Sequence, residues 1–211
     1  MSLNPHNSIF QYQDYASYRG FIIAEAPMPQ FAPAFASVIE AIQLNIERYI
    51  GTKLEYQLYE DEYLDGTGED FLQTKNRPIR QLVSLFAGAN ELDVADFRLN
   101  TEAGEIVALK NIDVSNFGHN KRFIAKDNFF RANYWAGWVD GTADPASSIP
   151  IIPFDIKYAA WVLADTALAQ RGVNLNAAQE SQGNRTTSFR GPVDTIVVFN
   201  NLLAPFRKLP G

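Results

Sequence analysis

The sequence predicts an α+β fold in which a small helical bundle carries an inserted antiparallel β-region. Apolar residues recur at intervals of three and four near residues 34–50 and 154–171, which is the period of an amphipathic helix. A shorter amphipathic segment lies near residues 193–204. Within residues 53–139, apolar and polar residues alternate and turn residues recur about every ten positions, as expected of a small antiparallel sheet.

Residues 1–33 are predicted to form an N-terminal arm that precedes a single domain of residues 34–211. Pro27, Pro29 and Pro33 argue against a continuous helix here, because proline removes a backbone donor and restricts the residue before it. A short helix near residues 13–24 is compatible with the sequence. Such an arm either packs on a neighbouring subunit or lacks order.

The first long helix is predicted over residues 34–50, and Gly51 provides a favoured C-terminal end. One apolar stripe runs along it, made of Phe35, Val38, Ile39, Ile42, Ile46, Tyr49 and Ile50. Polar residues are predicted to fill the opposite face, namely Glu40, Gln43, Asn45, Glu47 and Arg48.

The β-region is predicted to begin with a half-buried strand in which Leu54, Tyr56 and Leu58 alternate with polar residues. The glycines of residues 65–68 predict a hairpin turn. A long aromatic strand is predicted over residues 122–139. Its two faces are Phe130, Ala132, Tyr134 and Ala136 on one side, and Phe129, Arg131, Asn133 and Trp135 on the other.

The second long helix is predicted over residues 154–171, because alanine is abundant and Pro153 suits the start of a helix. One face carries Ile156, Ala160, Leu163 and Ala167. Further apolar residues widen the surface beyond that face, so the helix is expected to be buried on two sides, by its own bundle or by a neighbour. The predicted subunit-interface residues are Tyr158, Trp161, Val162 and Leu168.

The C-terminal residues 193–211 combine a short apolar helix with a basic tail, which is the composition of a docking segment. Pro205 is predicted to end that helix. The predicted partner-binding residues are Ile196, Phe199, Leu203, Phe206, Arg207 and Lys208.

The composition excludes several classes of function. The chain has no cysteine and two histidines, so disulfides, thiolate metal sites and cysteine nucleophiles are excluded. The net charge of −6 argues against a basic duplex-binding surface. The N-terminal residues do not have the pattern of a secretory signal, and no run of 18 apolar residues predicts a membrane span.

The densest ionisable cluster is acidic, with seven acids and no base between Glu55 and Asp70. Paired carboxylates hydrolyse glycosides in other proteins, and this region loosely resembles a calcium loop. The loop lacks the acid required at its twelfth position, so a charged solvent-exposed hairpin is the better interpretation. No phosphate-binding glycine motif and no nucleophile-elbow serine motif occurs. The sequence therefore predicts neither an enzyme nor a bound cofactor or metal.

The order of the elements resembles the head-to-tail connector, or adaptor, proteins of tailed bacteriophages. The resemblance covers residues 35–210 and includes a helix ending at a Gly-Thr step, an acidic strand ending in Asp-Gly and an Arg-Pro-Ile strand entry. It continues through a hairpin, an aromatic strand with a glycine, an Ile-Pro before an alanine-rich helix, and a Leu-Leu-x-Pro-Phe-Arg segment. The residues concerned are Glu47–Thr52, Glu62–Gly66, Arg77–Leu82, Asp96–Leu99 with Gly104–Leu109, Tyr134–Trp138, Ile152–Pro153 with Tyr158–Gln170, and Leu202–Arg207.

The resemblance implies a structural virion protein, made in the host cytoplasm, that forms a ring in the phage neck. Such rings commonly contain twelve copies and join the portal protein to the tail or to the next neck protein. Residues 193–211 would then dock on the portal. DNA would pass through the ring without sequence-specific binding, and an acidic wall would not retain its phosphates.

Two other interpretations remain open from the sequence. Another neck or tail-completion protein would belong to the same class of assembly. A carbohydrate-binding or hydrolytic virion module would instead use the aromatic strand 129–138 as a stacking platform, together with the acids. A core or subunit-interface strand is the simpler interpretation of the aromatic residues.

Overall fold

In a computed structural model, residues 9–10, 12–19, 31–110, 122–139, 151–170, 197 and 200–207 are described. They combine helices with antiparallel sheets, which confirms the predicted α+β class. The helices are α1 (Tyr12–Tyr18), α2 (Phe31–Ile50) and α3 (Phe154–Gln170). The strands are β1 (Gln57–Gly66), β2 (Phe71–Gln73), β3 (Ile79–Ala87), β4 (Asn90–Leu92), β5 (Phe97–Asn100), β6 (Glu105–Ala108) and β7 (Lys126–Ala136).

The chain divides into two compact units. Residues 52–139 belong to a β unit, and the described residues before 52 and after 150 belong to a helical unit. Among the described residues, no helix combines the length and the hydropathy that crossing a membrane requires.

In the helical unit, α2 buries the predicted apolar stripe, with only Tyr49 left half-exposed. The helix begins at Phe31 rather than at residue 34, so the predicted start was wrong. Pro33 lies in the first turn, where backbone N–H groups have no partner within the helix and proline is therefore tolerated. Gln43 and Glu47, predicted to face solvent, are buried.

Helix α3 packs against α2 and begins at Phe154 as predicted; it is described as far as Gln170, and residue 171 of the predicted helix lies outside the described residues. Its buried residues are Ile156, Ala159, Ala160, Trp161, Ala164 and Leu168. Leu163 and Ala167 are only partly buried, so the predicted face was wrong in its second half. The intervals of four residues from Ile156 to Leu168 bring the small alanines, rather than Leu163, into the contact.

Helix α1 lies at the start of the predicted segment 13–24 and packs on the rest of the helical unit; residues 20–24 of that segment lie outside the described residues. Tyr15 is fully buried, and its ring stacks on Phe35 of α2 with ring centroids 4.8 Å apart. Ile9 and Phe10 are also buried. The described residues of the predicted arm therefore contribute to the core of their own chain.

Near the C-terminus, residue 197 and residues 200–203 are helical. A 3₁₀ turn, Ala204–Phe206, follows and includes Pro205. The rest of the predicted helix 193–204 lies outside the described residues.

The β unit is a sandwich of two antiparallel sheets rather than one sheet. The four-stranded sheet has the order β1-β7-β3-β4, and the three-stranded sheet has the order β2-β6-β5. Both sheets contribute to one hydrophobic core, which includes Leu64, Leu72, Ile79, Leu85, Ile106, Phe123, Phe130 and Tyr134. The hairpin predicted at residues 65–68 was wrong, because β1 and β2 belong to different sheets.

Strand β7 confirms the predicted alternation. Phe130, Ala132, Tyr134 and Ala136 are completely buried, whereas the residues between them are partly exposed. In β1 the prediction was less successful. Leu58 is 36% exposed, because it pairs with Trp135 on the outer face, and Tyr59 faces the core in its place, stacked on Tyr134.

Candidate assembly surfaces

The C-terminal segment, residues 200–207, has one buried anchor and two accessible predicted docking residues. Leu203 is fully buried, so it stabilises its own chain. Phe206 is partly buried and Arg207 is exposed. The Arg207 guanidinium lies 5.6 Å from the ring centroid of Tyr49, within the range of a cation–π contact. Ile196, Phe199 and Lys208 lie outside the described residues.

The predicted subunit-interface residues of α3 separate into two groups. Trp161 and Leu168 are buried within the chain, and the ring of Tyr18 stacks on Trp161 at 5.1 Å. Tyr158 and Val162 remain partly exposed. A surface residue that the sequence analysis missed is Phe154, which is 64% exposed beside Tyr158. The apolar run Ile151–Phe154, which ends at the first residue of the helix, was the available signal.

A polar cluster holds α1 against α3. The Tyr15 hydroxyl donates to Asp165 at 2.7 Å, and Arg19 forms an ion pair with the same carboxylate at 3.2 Å. Lys157 pairs with Asp14 at 2.7 Å. Since Arg19 and Asp165 have little exposed side-chain surface, breaking this pair leaves a charge poorly solvated.

Burial changes the titration of this cluster. It raises the pKa of Asp165, while the Tyr15 hydroxyl and the Arg19 guanidinium oppose that rise. Burial, assisted by the Asp165 charge, raises the pKa of Tyr15. Burial also raises the pKa of Tyr18 to about 12. The cluster therefore favours protonated tyrosines, as required for Tyr15 to donate its hydrogen bond.

A second buried polar contact holds Ile9, near the N-terminus, against α2. The backbone N–H of Ile9 donates to the Gln43 side-chain oxygen at 3.2 Å, and the Gln43 amide donates to Glu47 at 3.1 Å. This explains why two polar residues of α2 are buried. The sequence alone could not pair Gln43 with a backbone group 34 positions away.

The acidic run of β1 is dispersed among structural contacts. Glu62 accepts from the backbone N–H of Lys75 at 2.9 Å, and Asp65 accepts from the backbone N–H of Asn128 at 2.7 Å. Asp61 pairs with Arg131 at 3.3 Å. Among the described residues, no group of three His, Cys, Asp or Glu side chains could hold a metal ion.

Asn133 of β7 joins three strands at two irregularities of the four-stranded sheet. Register shifts occur between Tyr59 and Glu62 in β1, and between Leu82 and Ser84 in β3. The Asn133 oxygen accepts from the backbone N–H of Asp61 at 2.6 Å, and its amide donates to Ser84 at 2.8 Å. One side chain thus satisfies polar groups displaced from the regular ladder.

The other outer residues of the aromatic strand also have partners within the chain. Trp135 stacks on Tyr56 at 5.1 Å, the Arg131 guanidinium lies 4.5 Å from the Phe86 ring centroid, and Phe129 lies beneath the Lys126 ammonium. A sugar-binding platform needs an open ring face. The partners of these rings argue against that use of the strand.

Two glycines of the resembling motifs are required by close backbone contacts. A Cβ at Gly66 would lie 1.9 Å from the carbonyl oxygen of Ile124, and a Cβ at Gly137 would lie 2.3 Å from that of Glu55. Gly137 also has a φ of +107°, which side chains rarely adopt. The Asp-Gly and aromatic-glycine motifs therefore mark places where chain segments cross closely.

The Gly-Thr motif marks the end of α2. The N–H of Gly51 bonds to the carbonyl oxygen of Glu47 at 2.9 Å, and Gly51 has a φ of 75°, which is the usual left-handed C-terminal residue of a helix. At the start of the β unit, the Thr52 hydroxyl accepts from the N–H of Arg77 at 3.0 Å and lies 3.2 Å from its carbonyl oxygen. The Arg-Pro-Ile motif thus holds the first residue of the β unit.

Comparison with known proteins gives matches in structure only. No protein-family model matches the chain, and no curated protein matches it. A chain from the neck of an empty gene transfer agent (GTA) particle, at C6 symmetry, superposes with a TM-score of 0.53 over 94% of this chain and 89% of that chain, at 14% identity. A chain from the virion of a native GTA particle gives a TM-score of 0.50 over 93% and 90% of the two chains, at 16% identity.

These identities are low, so the likeness concerns the fold. It extends over nearly all of both chains and therefore includes the helices as well as the β insertion. The fold implied by the resemblance to head-to-tail connectors is confirmed: this chain has the fold of a protein found in the neck of a gene transfer agent particle.

Proposed function

We propose that this chain is a structural virion protein that forms a homo-oligomeric ring in the neck of a tailed phage or phage-like particle. The observation that carries the proposal is the match to a neck protein over 94% of the chain. A ring of twelve copies is the arrangement that the family resemblance implies. The contacts described above support a structural role for part of the acidic run, because Glu62 and Asp65 accept hydrogen bonds from backbone N–H groups and Asp61 pairs with Arg131.

The ring joins the portal protein to the tail or to the next neck protein, and its C-terminal segment docks on the portal. Leu203 is buried in the helical unit and holds the segment there. Phe206 and Arg207 follow this buried residue by three and four positions. A partly exposed ring followed by an exposed guanidinium suits a partner surface with an apolar pocket and an acidic rim.

The same ring lines a conduit through which DNA passes. The net charge of −6 supports passage without retention, since phosphates are not attracted to an acidic surface. The acids of residues 55–70 supply that charge within the β unit.

Electron microscopy of the protein mixed with its cognate portal tests the proposal. Symmetric ring density on the portal is the expected result, with residues 200–207 at the contact. A well-folded protein that leaves the portal bare would overturn it.

A variant of the docking residues makes the test specific. Truncation before residue 200 would remove Leu203 from the core, so the double substitution of Phe206→Ala with Arg207→Glu is preferable. We expect it to leave a folded protein and to abolish portal binding. Arg122→Glu, which reverses another exposed cation, is the matched control and should bind normally.

A further inference from the structure

Tyr49, in the last turn of α2, differs from the other members of the apolar stripe of that helix. The others are buried, whereas Tyr49 is only partly buried. Its hydroxyl and its ring each contact the C-terminal segment, residues 200–207. The end of α2 therefore provides a site against which this segment lies.

The two contacts of Tyr49 are with the first and the last residue of the segment. Its hydroxyl donates to the backbone carbonyl oxygen of Asn200 over a long distance of 3.5 Å. The Arg207 guanidinium carbon lies over the ring, 5.6 Å from its centroid. Between them, the side chain of Leu203 is fully buried. The segment is therefore held at its middle by burial and at both ends by one tyrosine.

A short turn determines the direction in which the end of the segment leaves Leu203. Ala204–Phe206 form a 3₁₀ turn that contains Pro205, and the backbone N–H of Arg207 donates to the carbonyl oxygen of Ala204 at 3.2 Å. Proline fixes its own φ and so restricts the backbone of this turn. Together with the contact on Tyr49, the turn gives Phe206 and Arg207 a defined position.

The contact with Tyr49 leaves Arg207 able to bind a partner. A cation over an aromatic ring is attracted to the face of the ring, whereas the five N–H donors of a guanidinium point outward in its own plane. Arg207 remains exposed in this position. Its N–H donors can therefore bind a carboxylate while its charge stays over Tyr49, so the contact orders the side chain without competing for its donors.

We propose that Tyr49 is a positioning residue for docking on the portal: it holds Phe206 and Arg207 in the arrangement in which they bind. This inference rests on the proposed docking function of residues 200–207 and adds to it a residue outside the segment. A segment that already has its bound arrangement loses less conformational entropy when it binds. The apparent affinity rises in proportion to the fraction of molecules in that arrangement.

Substitution of Tyr49 tests the proposal with a matched pair of variants. Tyr49→Leu keeps an apolar side chain at the end of α2 but removes the aromatic ring, so it should weaken binding to the cognate portal by about threefold, the size of an exposed cation–π contact. Tyr49→Phe keeps the ring and loses only the long hydroxyl contact, so it should bind almost like the unmodified protein. Surface plasmon resonance on immobilised portal measures both.

A double-mutant cycle shows whether Tyr49 acts through Arg207. Arg207→Gln removes the charge that lies over the ring and is expected to weaken portal binding by itself. Adding Tyr49→Leu to Arg207→Gln should then cause no further loss, because the contact that it would remove is already gone. Independent losses that multiply in the double variant would overturn the action through Arg207.

The order of the segment has a readout that needs no portal. The exchange rate of the Arg207 backbone amide, measured by NMR on the chain by itself, should rise by about threefold in Tyr49→Leu and stay near its original value in Tyr49→Phe. The amide of Ile46, within α2, should be unaffected in both variants. An unchanged rate for Arg207 in Tyr49→Leu would overturn the positioning role, because the segment would be equally ordered without the ring.

The outcomes separate this role from the proposed function. Unchanged portal binding by Tyr49→Leu would overturn the positioning role and leave the docking function intact. Tighter binding would also overturn it, because Tyr49 would then withhold Arg207 from the partner. If the unmodified protein does not bind portal, the proposed function fails and the docking role of Tyr49 fails with it; the amide exchange rates still decide whether Tyr49 orders residues 200–207.

Discussion

The β unit and the helical unit each bury a set of apolar residues, but the contacting segments lie at different distances along the sequence in the two units. The described residues of the β unit all lie within residues 52–139. The helical unit is closed by contacts between distant segments, such as the hydrogen bond from Tyr15 to Asp165, which are 150 positions apart. Local alternation is therefore informative for the first unit, whereas the second depends on pairings that periodicity does not reveal.

The two units also bury polar groups for different reasons. In the β unit, Asn133 satisfies backbone and hydroxyl groups at interruptions of the ladder. In the helical unit, Asp165 and Gln43 attach the N-terminal segment to the helices. The first arrangement maintains a sheet despite its bulges, and the second holds separate elements together.

The largest expected effect is on the β unit. Gly137→Ala should lower the free energy of unfolding by about 4 kcal/mol, since the added Cβ meets the Glu55 carbonyl and the positive φ adds strain. Gly68→Ala is the control, because Gly68 has a similar φ of +85° but its nearest neighbour would lie 3.9 Å away; it should cost about 1 kcal/mol. Denaturant titration measures both, and equal losses would contradict the role of the close contact.

In the helical unit, Asp165→Asn should lower the free energy of unfolding by about 3 kcal/mol, because it removes the carboxylate charge that pairs with the little-exposed Arg19 guanidinium. The rate of backbone amide hydrogen exchange should rise in residues 12–19 and 154–170 and remain unchanged in β7. Asp155→Asn, at an exposed position of the same helix, is the control and should cost under about 1 kcal/mol. A uniform rise across both units would refute the local origin of the loss.

Asn133→Ala tests the polar connection within the sheet. The substitution should cost about 2 kcal/mol, since it leaves the N–H of Asp61 and the hydroxyl of Ser84 without their partner. Asn100→Ala removes an exposed hydrogen bond to Glu105 and should cost under about 1 kcal/mol. Thermal unfolding followed by circular dichroism compares the two, and a neutral Asn133→Ala variant would show that water replaces the side chain.

Alkaline pH above 10 should lower the stability of the helical unit through the ionisation of Tyr18. The pKa of Tyr18 is raised to about 12 in the folded chain, so its contribution is complete below pH 10 and is lost as the pH rises toward 12. One such group contributes at most about 1.4 kcal/mol per pH unit, and less here because Tyr18 is partly exposed. Tyr18→Phe should make the fall in stability above pH 10 less steep, while Tyr15 and Tyr134, whose pKa values burial also raises, still contribute; chemical denaturation measures the slope.

The smallest expected effect is at the C-terminal segment. Arg207→Gln removes a cation–π contact with Tyr49 at an exposed site and should cost about 0.5 kcal/mol. A loss several times larger in thermal unfolding would show that Arg207 belongs to the helical core rather than to a docking surface.

The elements that repeat locally were predicted well. The stripe of α2 and the two faces of β7 depend only on the period of the backbone, so residues from Phe35 to Ile50 and from Phe129 to Ala136 could be assigned before any contact was known. The sequence located the motif glycines but did not explain them. Gly66 and Gly137 are required because the carbonyl groups of Ile124 and Glu55, which lie elsewhere in the sequence, leave no room for a Cβ.

The candidate surfaces were predicted only in part. The sequence marked the apolar residues of α3, but Tyr18 covers one of them, Trp161, and leaves Phe154 exposed instead. A sequence pattern identifies residues that avoid water, and it does not identify which partner covers them.

The sequence by itself determined the α+β class, the order of helices and strands, and the absence of cysteine chemistry, since these follow from local period and composition. Only the tertiary structure decided that β1 and β2 belong to different sheets, that α1 joins the helical core, and which apolar faces remain open. These features depend on contacts between segments distant in the chain, where the choice of partner is set by shape and by the need of buried polar groups for a partner.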